Sequence, residues 1–167
     1  WFRYHHLFRD VLRHRLRQTD PACIPELHRR AAAWFAAQGL IDAAIQQALT
    51  ADDQLLAAHW IEQAVDVALR SGDIAPLRSW LATLPEALIR ARPQLAVGQL
   101  WILFITGQED LASPWMDALA AALKTEPDVA AVRSAEDLAR LQAEFAALRA
   151  QQAIYRGELD EAVAQCR

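Results

Sequence analysis

Four glycines stand at the same point of the same local pattern, and nothing else in the sequence restricts the fold as much. The segments are Gly39–Ala44, Gly72–Leu77, Gly107–Ala112 and Gly157–Ala162. Each glycine follows one run of helix-forming residues and precedes another. Lacking a β-carbon, glycine takes the positive φ that a sharp stop at a helix C-terminus needs. Five residues after each glycine stand Ala44, Leu77, Ala112 and Ala162, and four before stand Phe35, Ala68, Leu103 and Ala153. Small or medium apolar side chains at these places let the helices flanking the turn close on each other. The chain reads as helix, glycine elbow, helix, repeated.

The glycine spacings are 33, 35 and 50 residues. The first two lie near the about 34-residue period of tetratricopeptide units, helix pairs that bury their apolar faces by stacking on neighbours. The third requires an insertion, and Thr125–Arg133 is the place for it. The expected fold is all-α: tetratricopeptide-like antiparallel helix-pair repeats forming a right-handed superhelical solenoid. Helices are expected over Tyr4–Arg17, Pro25–Gln38, Leu40–Leu49, Asp52–Ser71, Asp73–Leu84, Pro93–Thr106, Glu109–Leu123 and Ala135–Arg156, with a short one between Pro85 and Pro93 and another from Glu158 to Cys166. Tyr4, Leu7, Phe8, Val11 and Leu12 share one apolar face of the first of these.

Composition removes several functions. Ala and Leu dominate and Asn is absent, so helices are favoured and Asn-Gly hairpin signals do not occur. No apolar run is long enough to span a bilayer, and the opening Trp1 leads into no signal-peptide pattern, so the chain reads as a piece of a soluble protein. Cys23 and Cys166 form no CxxC pair and fit a reducing compartment, hence a cytoplasmic location. Residues 1–30 hold seven Arg against three acids, while the remainder carries ten basic and eighteen acidic groups. The basic head reads as a solvated helix face, a dock for an acidic neighbour or a weak nucleic-acid patch, and the net acidity of the whole opposes a phosphate-neutralising role.

Catalytic motifs are missing. The sequence holds no HExxH, no Cys/His ligand spacing and no GxSxG. The acid pairs Asp52/Asp53 and Glu109/Asp110 open helices, where they cap and complement the helix dipole. His5 and His6 are adjacent and so point to different faces. The expectation is a binding segment, not an enzyme, with no metal and no cofactor of its own.

The repeat register selects a groove. In tetratricopeptide units the first helix of each pair lines the concave face. Counting back from Gly72, packing falls on Ile61, Ala64, Val65 and Ala68, and the concave face on His59, Glu62, Asp66, Leu69 and Arg70. From Gly107 the groove set is Gln94, Val97, Trp101, Phe104 and Ile105, and from Gly157 it is Glu144, Ala147, Gln151, Ile154 and Tyr155. Arg149 then falls at a packing position, so the register is weaker there. A groove mixing aromatics, Arg, acids and amides suits a sugar, a peptide or a small polar metabolite.

Trp1 to Leu12 carries a W-[FY]-R-Y-H-x-L-F stretch, and Leu27–Leu49 and Ala57–Glu62 add further similar runs. Over residues 1–62 the chain resembles the MalT-like, LuxR-type large ATP-binding transcription regulators of the STAND class. The resemblance implies that residues 1–20 are the C-terminal helix of the winged-helix or linker region and that 21–167 are the tetratricopeptide-like sensor repeats, with the linker near 125–133. It implies a small-molecule inducer or a protein or peptide partner. ATP is expected in an upstream domain that this sequence lacks, since no GxxxxGK[ST] occurs here, and DNA only through a C-terminal domain also absent. At the position of His5 the resemblance allows a contact that follows nucleotide state, or plain packing. The expected function is sensor and relay. The alternative is a generic scaffold that docks a partner without a small ligand. No membrane contact is expected, and the open apolar end of a truncated array favours self-association.

Overall fold

Gly39, Gly72, Gly107 and Gly157 all take a φ between +70° and +76°. At the first, third and fourth elbows the residue after the glycine donates its backbone N–H to the carbonyl four residues before the glycine. Leu40 bonds Phe35, Gln108 bonds Leu103 and Glu158 bonds Ala153, at 2.8–2.9 Å. These closures occupy helix-terminal carbonyls that would otherwise lack partners. At Gly72 the next amide, Asp73 N–H, turns instead to Ser71 Oγ at 3.3 Å. The sites are open enough for a β-carbon, so it is the backbone angle that requires glycine.

The computed structural model describes residues 6–124 and 135–158. Its helices are α1 His6–Thr19, α2 Cys23–Ala37, α3 Ile41–Thr50, α4 Gln54–Ser71, α5 Ala75–Leu81, α6 Glu86–Ala91, α7 Pro93–Ile105, α8 Ala112–Lys124 and α9 Ala135–Arg156. No strand occurs among the described residues. None of the helices there is long and apolar enough to cross a membrane. His5, the linker expected at 125–133, Ala162 and the helix expected beyond Glu158 lie outside the described residues. The chain groups into two compact units, residues 1–60 and 61–167.

In the first unit α2 and α3 pack together around the elbow at Gly39, burying Ala32, Ala44, Ile45 and Ala48. Across this hairpin His28 Nδ1 and Gln47 Oε1 lie 2.7 Å apart. The apolar face expected on α1 is open to solvent at Phe8, Val11 and Leu12. Asp53 caps α4: its Oδ1 accepts the Leu56 N–H at 3.0 Å, and its Oδ2 accepts Arg29 Nε at 2.7 Å. The Leu56 amide, and after it Arg29, hold the Asp53 carboxyl below the ordinary carboxylate range. Asp53→Ala should destabilise the chain by about 1 kcal/mol, a typical value for a lost cap. Because the folded pKa is depressed, that stability is complete above the ordinary carboxylate pKa and disappears as pH falls through the lowered one. Urea titrations of both proteins across an acid series should therefore converge at the acid end.

In the second unit α7 is the central helix, in contact with α5, α6, α8 and α9. Pro93 opens it, and a residue before proline is driven from the α region. Arg92 accordingly sits at φ −116°, ψ 107°, which ends α6 after Ala91. Pro93, Leu95, Ala96, Val97, Gly98, Leu100, Ile102, Leu103 and Phe104 are all buried, so α7 is apolar round most of its circumference. A β-carbon at Gly98 would already touch both Val65 methyl groups at 3.4 Å, so a small residue here lets α7 close on α4. Ile61, Ala64, Val65 and Ala68 of α4 are buried, as are Leu77 and Ala112 five residues beyond their glycines. Glu109–Leu111 forms a 3-10 turn, so α8 begins at Ala112, three residues later than its acids imply.

Candidate functional site

Three helices of the second unit each give one face to an open cleft of about 460 Å³. α4 supplies Asp66, Leu69 and Arg70, α7 supplies Trp101 and Ile105, and α9 supplies Arg140 and Glu144. Asp66 and Arg70, Trp101 and Ile105, and Arg140 and Glu144 are each four residues apart, so each pair stacks one turn above the next.

Asp66 is the electrostatic centre. It accepts a hydrogen bond from Gln94 Nε2 at 2.9 Å, and its other oxygen pairs with Arg140 of α9. Nearby, Arg92 donates to Glu62 at 3.0 Å, tying the start of α7 to α4. Arg70 directs Nε to the Asp66 carbonyl of its own helix at 3.2 Å. Glu144 is half-buried, and its Oε2 is shielded from water without a hydrogen-bond partner. Burial pushes its carboxyl above the ordinary range, against the opposing pull of Arg140.

The residues singled out by the repeat register separate in the structure. Asp66, Arg70 and Trp101 meet in the cleft with Leu69, Ile105 and Glu144. Glu62 and Gln94 lie beside it, engaged with Arg92 and Asp66. Phe104 and Val97 are corrections. The register expects both on the groove, yet Phe104 is 3% exposed and Val97 fully buried. Phe104 stacks on Tyr155 of α9, ring centroids 5.8 Å apart and planes 7° off parallel. Tyr155 is partly exposed and its hydroxyl donates to the Phe104 carbonyl at 3.4 Å, so this residue docks α9 on α7. Gln151 is half-buried on α9, outside the cleft lining, and its neighbour Gln152 donates to Ser113 at 3.3 Å. His59 belongs to the first unit, where its ring meets Trp60 edge-on at 4.7 Å. Arg140 is absent from the register's set. It stands one helical turn before Glu144, so carrying the same register back four residues reaches it.

Other conspicuous groups are accounted for by packing. Trp115 is buried beneath the Arg90 guanidinium, which lies 4.3 Å from its ring centroid. Arg90 also holds Glu86 at 2.6 Å and the Pro114 carbonyl at 2.9 Å. Partial burial and the adjacent Asp20 push the Cys23 thiol up, which disfavours the reactive thiolate. Among the described residues no group of three His, Cys, Asp or Glu side chains could hold a metal ion.

Residues 1–24 match the MalT winged helix domain, a likeness that ties the start of the chain to a region related to transcription regulators. The chain is also similar to the serine/threonine-protein kinase PknK of Mycobacterium tuberculosis (strains CDC 1551 / Oshkosh and ATCC 25618 / H37Rv) and of Mycobacterium bovis. In each case it is 37% identical over 105 residues, which is 62% of this chain and 10% of the kinase. The chain thus spans about a tenth of the length of the curated relatives it matches. No solved structure is a significant match.

Proposed function

We propose that this chain is the sensor segment of a signal-responsive, MalT-like regulator of the LuxR and STAND type. The observation that carries the reading is the cleft itself, where α4, α7 and α9 gather two Arg, two carboxylates, a Trp and two aliphatic side chains. Its volume lies within the range of small-molecule sites, which mix an apolar lining with a few placed polar groups. The similarity of residues 1–24 to the MalT winged helix domain supports the regulatory setting. The near-constant spacing of the first three glycine elbows supports tetratricopeptide-like pairs wound as a right-handed superhelix.

In this reading the chain binds and relays, in the cytoplasm, and does not catalyse. The kinase activity named for PknK stays with that protein. ATP belongs to an upstream switch module and DNA to a C-terminal module, neither carried by these residues. An inducer that prefers one arrangement of α4, α7 and α9 shifts the population toward it, and the switch responds to the shift.

The test is a thermal-shift screen of the intact regulator against sugars, peptides and metabolites, with and without ATP, repeated on Trp101→Ala and Arg70→Ala. The variants should lose the response to an inducer while keeping wild-type far-UV circular dichroism. An inducer response unchanged in both variants would remove the cleft from the sensing role, and loss of helicity would show these side chains to be structural.

A further inference from the structure

Resting on the reading of this cleft as a ligand site, we propose that its occupant is a small amphoteric molecule, with one ammonium and one carboxylate on an apolar body. The charges already engaged in the cleft decide this class. Asp66 and Arg140 neutralise each other, Asp137 stands 3.8 Å from the other terminal nitrogen of Arg140, and Gln94 takes a further contact on Asp66. Two groups are left over. Arg70 is exposed, and among the described residues its one hydrogen bond runs from Nε to a backbone carbonyl and its terminal nitrogens meet no acid. Glu144 keeps one oxygen shielded from water and unpartnered. These groups come from different helices, α4 and α9, and Trp101 and Ile105 of α7 complete the lining with Leu69.

An occupant must suit both leftovers at once. A planar guanidinium matches a carboxylate through paired N–H donors. A carboxylate oxygen screened from water gains from a cationic N–H donor, because leaving it unpartnered is unfavourable. A purely anionic ligand would satisfy Arg70 and be repelled by Glu144. A purely cationic one would do the reverse. A neutral polyol would reach both but compensate the charge of neither. A net-neutral ligand with both charges leaves the Asp66–Arg140 pair intact, and its apolar body rests on Leu69, Ile105 and the indole of Trp101.

Isothermal titration calorimetry on the full chain, with Trp emission as a second readout, tests this. The probes are L-leucine, 4-aminobutyrate and 6-aminohexanoate, which vary the distance between the charges, together with N-acetyl-leucine, leucinamide and glucose. At least one zwitterion should bind, and capping either of its charged ends should weaken binding by about tenfold or more, the scale of one charge-assisted hydrogen bond. Arg70→Ala should erase the preference over the amide-capped form, and Glu144→Gln the preference over the N-acetylated form. This crossed pattern is one that a merely structural role would not give. Glucose binding undiminished in both variants overturns the ligand class while leaving the sensor reading in place. Silence from every probe, or equal weakening of all probes by both variants, also overturns the class. The sensor reading itself falls only with the inducer screen on the Trp101 and Arg70 variants.

Discussion

Phe104→Ala should lower the stability of the chain by about 3–5 kcal/mol, the usual cost of truncating a buried aromatic ring. For a chain of this size that corresponds to a fall in melting temperature of roughly 6–20 °C. Phe104 is 3% exposed, inside the central helix of the second unit, so its removal leaves a cavity that a rigid surround cannot close. The loss extends to α9, because Tyr155 stacks on this ring and bonds its backbone carbonyl. Tyr155→Phe is the control. It keeps the stacked ring and removes only a long hydrogen bond from a half-exposed hydroxyl, so it should cost less than about 1 kcal/mol. Urea denaturation followed by circular dichroism separates the two. A Phe104→Ala protein as stable as wild type would mean the ring lines the groove after all.

The burial of Phe104 marks where the sequence stops being legible. The elbows are legible, because a C-terminal glycine and the apolar residues around it form a local pattern that the backbone angle enforces. The buried face of α4 is legible too, since it alternates with polar positions such as Glu62 and Asp66. α7 is not. From Leu95 to Ile105 polar residues interrupt it only at Gln99, so a helical register cannot separate the positions facing the core from those facing a groove. Trp101 and Phe104 look equivalent in the sequence, yet one lines the cleft and the other anchors α9. The 3-10 turn at Glu109 is hidden for a similar reason: acids open a 3-10 turn as readily as the first turn of an α-helix. Arg92 and Arg140 escape because their partners lie 30 and 74 residues away, beyond any local pattern.

Asp66 joins α4 to both α7 and α9, and its replacement measures how firmly the cleft is assembled. Asp66→Ala removes the acceptor of Gln94 and the counter-charge of Arg140 together. A hydrogen bond to a charged group contributes about 1.5–3 kcal/mol. The Arg140 pair adds less, because its side chains are 43% and 27% exposed and pairs open to solvent contribute about 1 kcal/mol or under. The expected loss for Asp66→Ala is therefore about 2–3 kcal/mol, most of it from the link to α7. Arg140→Ala should cost under about 1 kcal/mol, since it leaves the Gln94 bond in place. The two variants should differ in ligand response as well. Losing Asp66 leaves Arg140 with only Asp137, 3.8 Å away on its own helix, and alters the field at Glu144, whereas losing Arg140 removes the cation that opposes the raised pKa of Glu144. If denaturation instead gave equal losses for both variants, the α4–α9 ion pair rather than the Gln94 bond would hold the cleft. Its opening would then be governed by a contact that salt screens, and stability should fall with ionic strength.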